Sequence, residues 1–236
     1  MTAPLSPSPL AHRPVVAFDL DGTLVDTAPD LLDALDVVLA EYKVPPVDRA
    51  LARNMIGGGA RKLIVNALGS EGIVLPDDEL AGMTTRFIAH YAEHIAVGSR
   101  PFPGLGMALD RLAARGVTLA VCTNKLERLA RLLLDALELT DRFAVITGAD
   151  TYARPKPDPL PLLSTITAAG GSARQAIMVG DSITDVLTAR ATGVPVVAVS
   201  FGYTETPPAE LGADALIHHF DQLEEAVDAL LAAAAG

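Results

Sequence analysis

The 236-residue sequence has no tryptophan, a single cysteine and only 4% aromatic residues. One cysteine, Cys122, cannot form an internal disulfide, so a disulfide-built scaffold is excluded. The shortage of large aromatics argues against an extended protein–protein interface, because binding energy there concentrates in such residues. Positive charge is scarce as well: 18 lysines and arginines face 29 aspartates and glutamates, a net charge of −11. A field of that sign repels phosphate backbones, so no nucleic-acid partner is expected. No apolar run approaches the roughly eighteen residues of a membrane span, so no membrane partner is expected either. The opening residues, Met1 to Leu10, lack the apolar stretch of a secretory signal and are interrupted by prolines. Residues 1–13 read as a flexible tail on a cytoplasmic protein, and the sequence leaves its state, monomer or homodimer, open.

The chain does have apolar residues, 50% of the total, which is ample for a core. The run Val15-Val-Ala-Phe-Asp-Leu20 is short, β-branched and bounded by Pro14 and Gly22. Four later segments share its character: Thr118–Thr123, Ala144–Thr147, Ala176–Gly180 and Val194–Val199. None alternates between apolar and polar, as strands of a parallel sheet covered on both faces do not. Helical spacing fills the gaps between them. It runs through Leu105, Leu109 and Leu112, then Leu126 to Leu137, Pro157 to Ala169, Ile183 to Ala191 and finally Asp221 to Ala235. The alternation predicts an α/β fold, a doubly wound parallel sheet of Rossmann-like type. Residues 28–99 interrupt it. Pro29 opens one helix with an apolar face from Leu31 to Tyr42, and Asp77 to Ile95 forms a second. A helical insert over 28–99 therefore divides a core made of 14–27 and 100–236.

Doubly wound sheets carry their sites beyond the carboxyl ends of the strands. Those ends hold Asp19-Leu-Asp21-Gly-Thr23, Thr123-Asn124-Lys125 and Gly180-Asp181-Ser-Ile-Thr-Asp185, with Lys156 between prolines in the loop Arg154-Pro-Lys-Pro-Asp158. Gathered carboxylates repel unless a cation holds them. Asp19, Asp21 and Asp181 supply too few hard oxygen ligands for a closed calcium cage. A magnesium ion that keeps waters and takes a substrate phosphate oxygen fits better. Lys156 and the Thr123 hydroxyl then offer a charge and a donor to the remaining phosphate oxygens. The sequence contains no Gly-x-x-x-x-Gly-Lys-[Ser/Thr] loop, so such a phosphate site is built from side chains.

Asp-x-Asp-Gly-Thr at 19–23, Thr123, Lys156 and Gly-Asp-x-x-x-Asp at 180–185 occur in the order of the four motifs of the haloacid dehalogenase superfamily. The chain resembles that superfamily from Pro14 to its last helix. Val25-Asp-Thr-Ala-Pro-Asp-Leu31, Gly57-Gly-Gly-Ala-Arg-Lys-Leu63 and Thr123-Asn-Lys125 resemble its phosphoglycolate phosphatase branch. The resemblance implies a helical cap over 28–99 and a Mg2+-dependent phosphomonoester hydrolase acting on a small phosphorylated metabolite, 2-phosphoglycolate first. Asp19 is then the nucleophile and forms an aspartyl-phosphate. Asp21 protonates the leaving alkoxide and later deprotonates water. The Asp19 side chain, the Asp21 backbone carbonyl and the Asp181 side chain hold the metal, with Asp185 orienting a metal-bound water or Lys156. Thr123, the Asn124 backbone and Lys156 bind the phosphate oxygens. Gly57, Gly58 and Gly59 offer backbone N–H groups to an anion, and Arg61 is the candidate for a substrate carboxylate.

Other readings remain. Another small-metabolite phosphatase, or a phosphosugar mutase resembling β-phosphoglucomutase, would share the same core residues. A phospho-acceptor signalling module also gathers aspartates, a threonine and a lysine at strand ends, but Asp19 and Asp21 share one turn and such a module has no place for the insert. His90-Tyr-Ala-Glu93-His94 has the spacing of an inverted zinc-peptidase motif, yet it reads as the polar side of an amphipathic helix. Cys122 reads as a buried core residue.

Overall fold

The computed structural model describes residues 13–235, so nearly all of the expected tail lies outside the described residues. Strand β1 (Val15–Phe18) is the centre of the molecule, with all four side chains buried. It pairs in parallel with β4 (Thr118–Cys122) on one side and β6 (Ala176–Gly180) on the other, Val15 lying opposite both Thr118 and Ala176. Beyond them lie β5 (Val145–Thr147), β7 (Val196–Val199) and β8 (Ala215–Ile217), giving a six-stranded parallel sheet in the order β5-β4-β1-β6-β7-β8.

The unbroken apolar runs have a direct structural cause. Val16 and Phe18 enter one core, together with Leu105, Leu109 and Leu112 of α5 (Leu105–Ala114), Leu129 and Leu133 of α6 (Glu127–Ala136), and Leu223 and Val227 of α9 (Leu223–Ala235). Val15 and Ala17 enter the opposite core, with Leu162 and Ile166 of α7 (Pro159–Ala168) and Val186 and Ala189 of α8 (Ile183–Thr192). Each successive residue changes face, and both faces are dry, so every position is apolar. Full burial of a valine, leucine or phenylalanine is worth about 1.5–3 kcal/mol, which makes these two layers the main source of stability.

Between β1 and α5 the chain forms α1 (Ala28–Ala40), α2 (Arg49–Arg53), α3 (Ala60–Ser70) and α4 (Asp77–Glu93). Leu31, Leu32, Leu35, Val38 and Leu39 of α1 pack with Leu80, Met83, Phe87 and Tyr91 of α4. Asp77, Asp78 and Glu79 in the first turn of α4 complement its dipole. The helix ends at Glu93, two residues before the expected Ile95. Two short strands at the ends of the insert, β2 (Val25–Asp26) and β3 (Arg100–Pro101), pair antiparallel. Next to them the Asp30 carboxylate accepts from Gly98 N at 2.6 Å, Ser99 N at 2.7 Å and Ser99 Oγ at 2.5 Å. That buried knot ties the two crossings together. Among the described residues no helix is long and apolar enough to cross a membrane.

Candidate active site

The site forms where β1, β4 and β6 end. Asp19 N donates to Val179 O at 2.9 Å, so the ladder carries the chain one residue past β1 and holds Asp19 beside the end of β6. The chain then turns sharply, Leu24 N donating to Leu20 O at 3.0 Å and Gly22 N to Val25 O at 2.9 Å. Gly22 has φ +83°, and a Cβ there would stand 2.5 Å from Asp181 Oδ2. Only glycine allows both the turn and the close approach. Thr23, next in the turn, donates its hydroxyl to Asp181 Oδ1 at 2.8 Å, and Tyr203 N donates to Asp181 Oδ2 at 2.6 Å.

Asp185 sits in the first turn of α8. Its Oδ2 accepts from Ser182 N (3.1 Å) and Ser182 Oγ (2.7 Å), a capping box, while its Oδ1 accepts from Lys156 Nζ at 2.6 Å. Lys156 Nζ also lies 3.0 Å from Asp19 Oδ1, which is buried and has no hydrogen-bond partner among the described residues. One oxygen from each of Asp19, Asp181 and Asp185 falls within 4.8 Å of the others. Burial pushes the Asp19 carboxyl up from 3.8 to about 6, with Asp185 and Asp21 adding to the rise and Lys156 opposing it. Burial, then the charges of Asp185 and Asp19, raise Asp181 well above the carboxylate range. Lys156 is held above its ordinary range because Asp185 and Asp19 outweigh its own burial.

Three gathered, buried carboxylates, of which the one ammonium contacts only Asp19 and Asp185, therefore leave negative charge uncompensated. A divalent cation suits this donor set: hard oxygens, one of them without a hydrogen bond, and spare lone pairs on Asp181. Asp185 has less to offer, since Lys156 and the capping box already engage both of its oxygens.

The phosphate-facing candidates are brought to the same place. Thr123 follows β4, its N donating to Thr147 O at 3.1 Å and its hydroxyl accepting from Lys125 N at 3.2 Å. Asn124 Nδ2 donates to Lys156 O at 3.0 Å, which ties the lysine loop to the β4 end. The Lys156–Pro157 bond in that loop is cis. Asp158 caps α7, accepting from Leu160 N at 2.9 Å.

A cavity of about 440 Å3 opens over these groups. Its floor includes Asp19, Asp21, Thr123 and Lys156, and its roof includes Gly57, Gly58, Gly59 and Arg61 of the insert. Arg61 pairs with Asp77 at 2.6 Å, and its side chain is about half exposed (51%). The cation paired with Asp21 is instead the buried Lys125, whose Nζ lies 2.9 and 3.1 Å from the two Asp21 oxygens and 4.4 Å from the centre of the Tyr91 ring. Lys125 belongs to the quoted Thr-Asn-Lys run, but nothing in the run says which way the lysine turns. Tyr203 was equally out of reach, because its contact with Asp181 is made by a backbone N–H.

His90 and His94 stack at 4.3 Å on α4, and His94 Nδ1 meets His90 O at 2.9 Å. Among the described residues the aspartate group is the only one gathered closely enough to hold a metal. Cys122 is buried, and burial raises its thiol further from reactivity.

Residues 16–199 match the family of haloacid dehalogenase-like hydrolases. A phosphoglycolate phosphatase of Mesorhizobium japonicum is 47% identical over 224 residues, covering 95% of this chain and 99% of that one. A phosphoglycolate phosphatase of Caulobacter vibrioides is 45% identical over 92% of this chain and 91% of its own. Among solved structures, a predicted phosphoglycolate phosphatase from Haemophilus somnus superposes with a TM-score of 0.84 at 28% identity, covering 92% of this chain and 99% of that one. With its parallel sheet, its aspartates at the strand ends and these relatives, the chain belongs to the haloacid dehalogenase-like hydrolases.

Proposed function

We infer that the protein hydrolyses 2-phosphoglycolate to glycolate and phosphate with Mg2+ as its cation. The observation that carries the reading is the Asp19 carboxylate, which lines the cavity while its buried Oδ1, without a hydrogen bond, lies 3.0 Å from the buried Lys156 ammonium. A carboxylate oxygen so placed is a nucleophile that needs no base to activate it.

In the first step an Asp19 oxygen bonds to phosphorus, the phosphorus–oxygen bond to glycolate breaks, and Asp21 gives its proton to the departing alkoxide. In the second step water attacks the same phosphorus, Asp21 takes the water's proton, and the bond to Asp19 breaks to release phosphate. Lys156, the Thr123 hydroxyl and the Asn124 backbone N–H hold the equatorial oxygens, where charge stabilisation supplies most of the catalysis. Asp185 keeps Lys156 aimed. Mg2+ held by Asp19, Asp181 and the Asp21 carbonyl would screen the repulsion between the Asp19 carboxylate and the phosphate. The insert over 28–99 acts as the cap, excluding water and reading the rest of the substrate.

Phosphate release from a panel of esters, with Mg2+ and with a chelator, tests the reading. The panel comprises 2-phosphoglycolate, hexose 6-phosphates, β-glucose 1-phosphate, nucleotides and pyrophosphate. Turnover is expected to depend on Mg2+ and to be greatest for 2-phosphoglycolate. A stronger response to another ester would replace the substrate, and metal-independent turnover would remove the cation.

Arg61 is assigned to the substrate carboxylate. Its pairing with Asp77 is exposed and contributes little, so exchanging partners costs little. Arg61→Ala is expected to raise KM for 2-phosphoglycolate about tenfold, the worth of one charged hydrogen bond, and to spare an uncharged phosphate ester. Equal increases for both esters would remove Arg61 from carboxylate recognition.

A further inference from the structure

Asp21 can act on a leaving group only if its carboxyl is held within hydrogen-bond reach of the ester oxygen. The turn carrying it orients the backbone, but an aspartate side chain retains two rotatable bonds. Lys125 supplies the side-chain contacts: its Nζ faces both oxygens, at 2.9 and 3.1 Å. The lysine is itself anchored at its base, because Lys125 N donates to Thr123 Oγ1 at 3.2 Å and Lys125 O accepts from Ala149 N at 2.9 Å. At its tip the ammonium lies 4.4 Å from the centre of the fully buried Tyr91 ring. Cation–π attraction there is strong because water is excluded. Tyr91 stacks on Phe87 one turn earlier in α4, with ring centroids 6.3 Å apart and planes 13° from parallel. A continuous line of contact thus runs from an insert helix through Tyr91 and Lys125 to a carboxylate of the sheet domain.

We propose that Lys125 is a positioning residue for the acid–base step, holding the Asp21 carboxyl toward the ester oxygen only while Tyr91 of the insert backs its ammonium. This rests on Asp21 being the proton donor. The substrate's arrival under the insert and the aiming of the donor then become one event. The donor is correctly placed when the insert covers the cavity, which is also when water is excluded.

A purely structural lysine and a positioning lysine differ in their dependence on the leaving group. An alkoxide needs a proton to depart, whereas p-nitrophenolate leaves without one. The test is first-turnover release of glycolate from 2-phosphoglycolate and of p-nitrophenol from p-nitrophenyl phosphate, with the Mg2+-loaded full chain. Asp21→Asn sets the reference: about 100-fold or more loss on the alkyl ester and a few-fold on the aryl ester. Lys125→Met is expected to show the same split. Tyr91→Leu, which leaves the ion pair intact and keeps the site apolar, should show it to a smaller degree. The Asp21→Asn/Lys125→Met double variant should lose no more than Asp21→Asn alone, since Lys125 acts through Asp21. Circular dichroism melts establish that each variant is folded at the assay temperature.

Equal losses on both esters in Lys125→Met and Tyr91→Leu, with Asp21→Asn still discriminating, would overturn the positioning role and leave the reading of Asp21 intact. An Asp21→Asn variant that fails to discriminate would instead overturn Asp21 as the donor, and the proposal with it.

Discussion

Asp19→Asn is expected to abolish turnover, with kcat falling by about 10^4-fold or more, as when a covalent nucleophile is removed. The amide keeps the shape of the carboxyl, and Lys156 keeps its 2.6 Å contact with Asp185, so the architecture has no reason to change. Asparagine also takes one negative charge out of a buried group of three carboxylates. The unfolding midpoint of the metal-free variant is therefore expected to equal or exceed that of the parent protein, as where catalysis is kept at the expense of stability. Activity and urea unfolding measured on the same preparation check both halves. Residual turnover within 100-fold of the parent would remove Asp19 as nucleophile. A large fall in midpoint would mean that its ionised form supports the fold.

Lys156→Met is expected to have the opposite signature. The ammonium is buried and lies 2.6 Å from Asp185 and 3.0 Å from Asp19, carboxylates grouped with Asp181. Removing one partner of a buried pair costs about 3–5 kcal/mol, because the remaining charge is left in a poor solvent. A loss of that size should appear as a clear fall in the urea midpoint. Part of it should return on adding Mg2+, which restores positive charge among the same carboxylates, and the return should exceed the gain shown by the parent protein. Turnover should fall as well, by about 10^2- to 10^3-fold, the usual effect of losing one group that stabilises developing charge. An unchanged midpoint would show that these carboxylates do not depend on the lysine for their burial.

The five main strands were readable because burial on both faces forces an unbroken apolar run, and such a run is visible without any knowledge of its neighbours. Their boundaries moved by a residue or two where a loop began to serve the site, as at Asp19 and Thr123. Strand β8 carries no such signal: it is three residues at the sheet edge, Ala215–Ile217, paired on one side only and half-buried, so nothing demands a continuous apolar stretch. The β2–β3 pair is silent in the sequence for a related reason. Two residues on each side, one of them Pro101, carry no periodicity, and the pairing joins positions separated by the whole insert. Helix α2 has only five residues, too few to show a helical period.

The same division holds at the site. Asp19, Thr123, Asp181 and Asp185 could be chosen from the chain because a parallel sheet delivers the ends of its central strands to one edge, whereas Lys156, in the loop after the edge strand β5, stands out only by its flanking prolines. The partners of these groups could not be read in that way. The pairing of Lys125 with Asp21 spans 104 residues, the bond from Tyr203 N to Asp181 is made by backbone that carries no sequence signature, and Arg61 turned to Asp77 on the surface. Which residues meet at the strand ends follows from local hydrophobic pattern and strand order. Which atoms face one another depends on how the Gly22 turn, the lysine loop and α4 pack in three dimensions, and no local pattern encodes that.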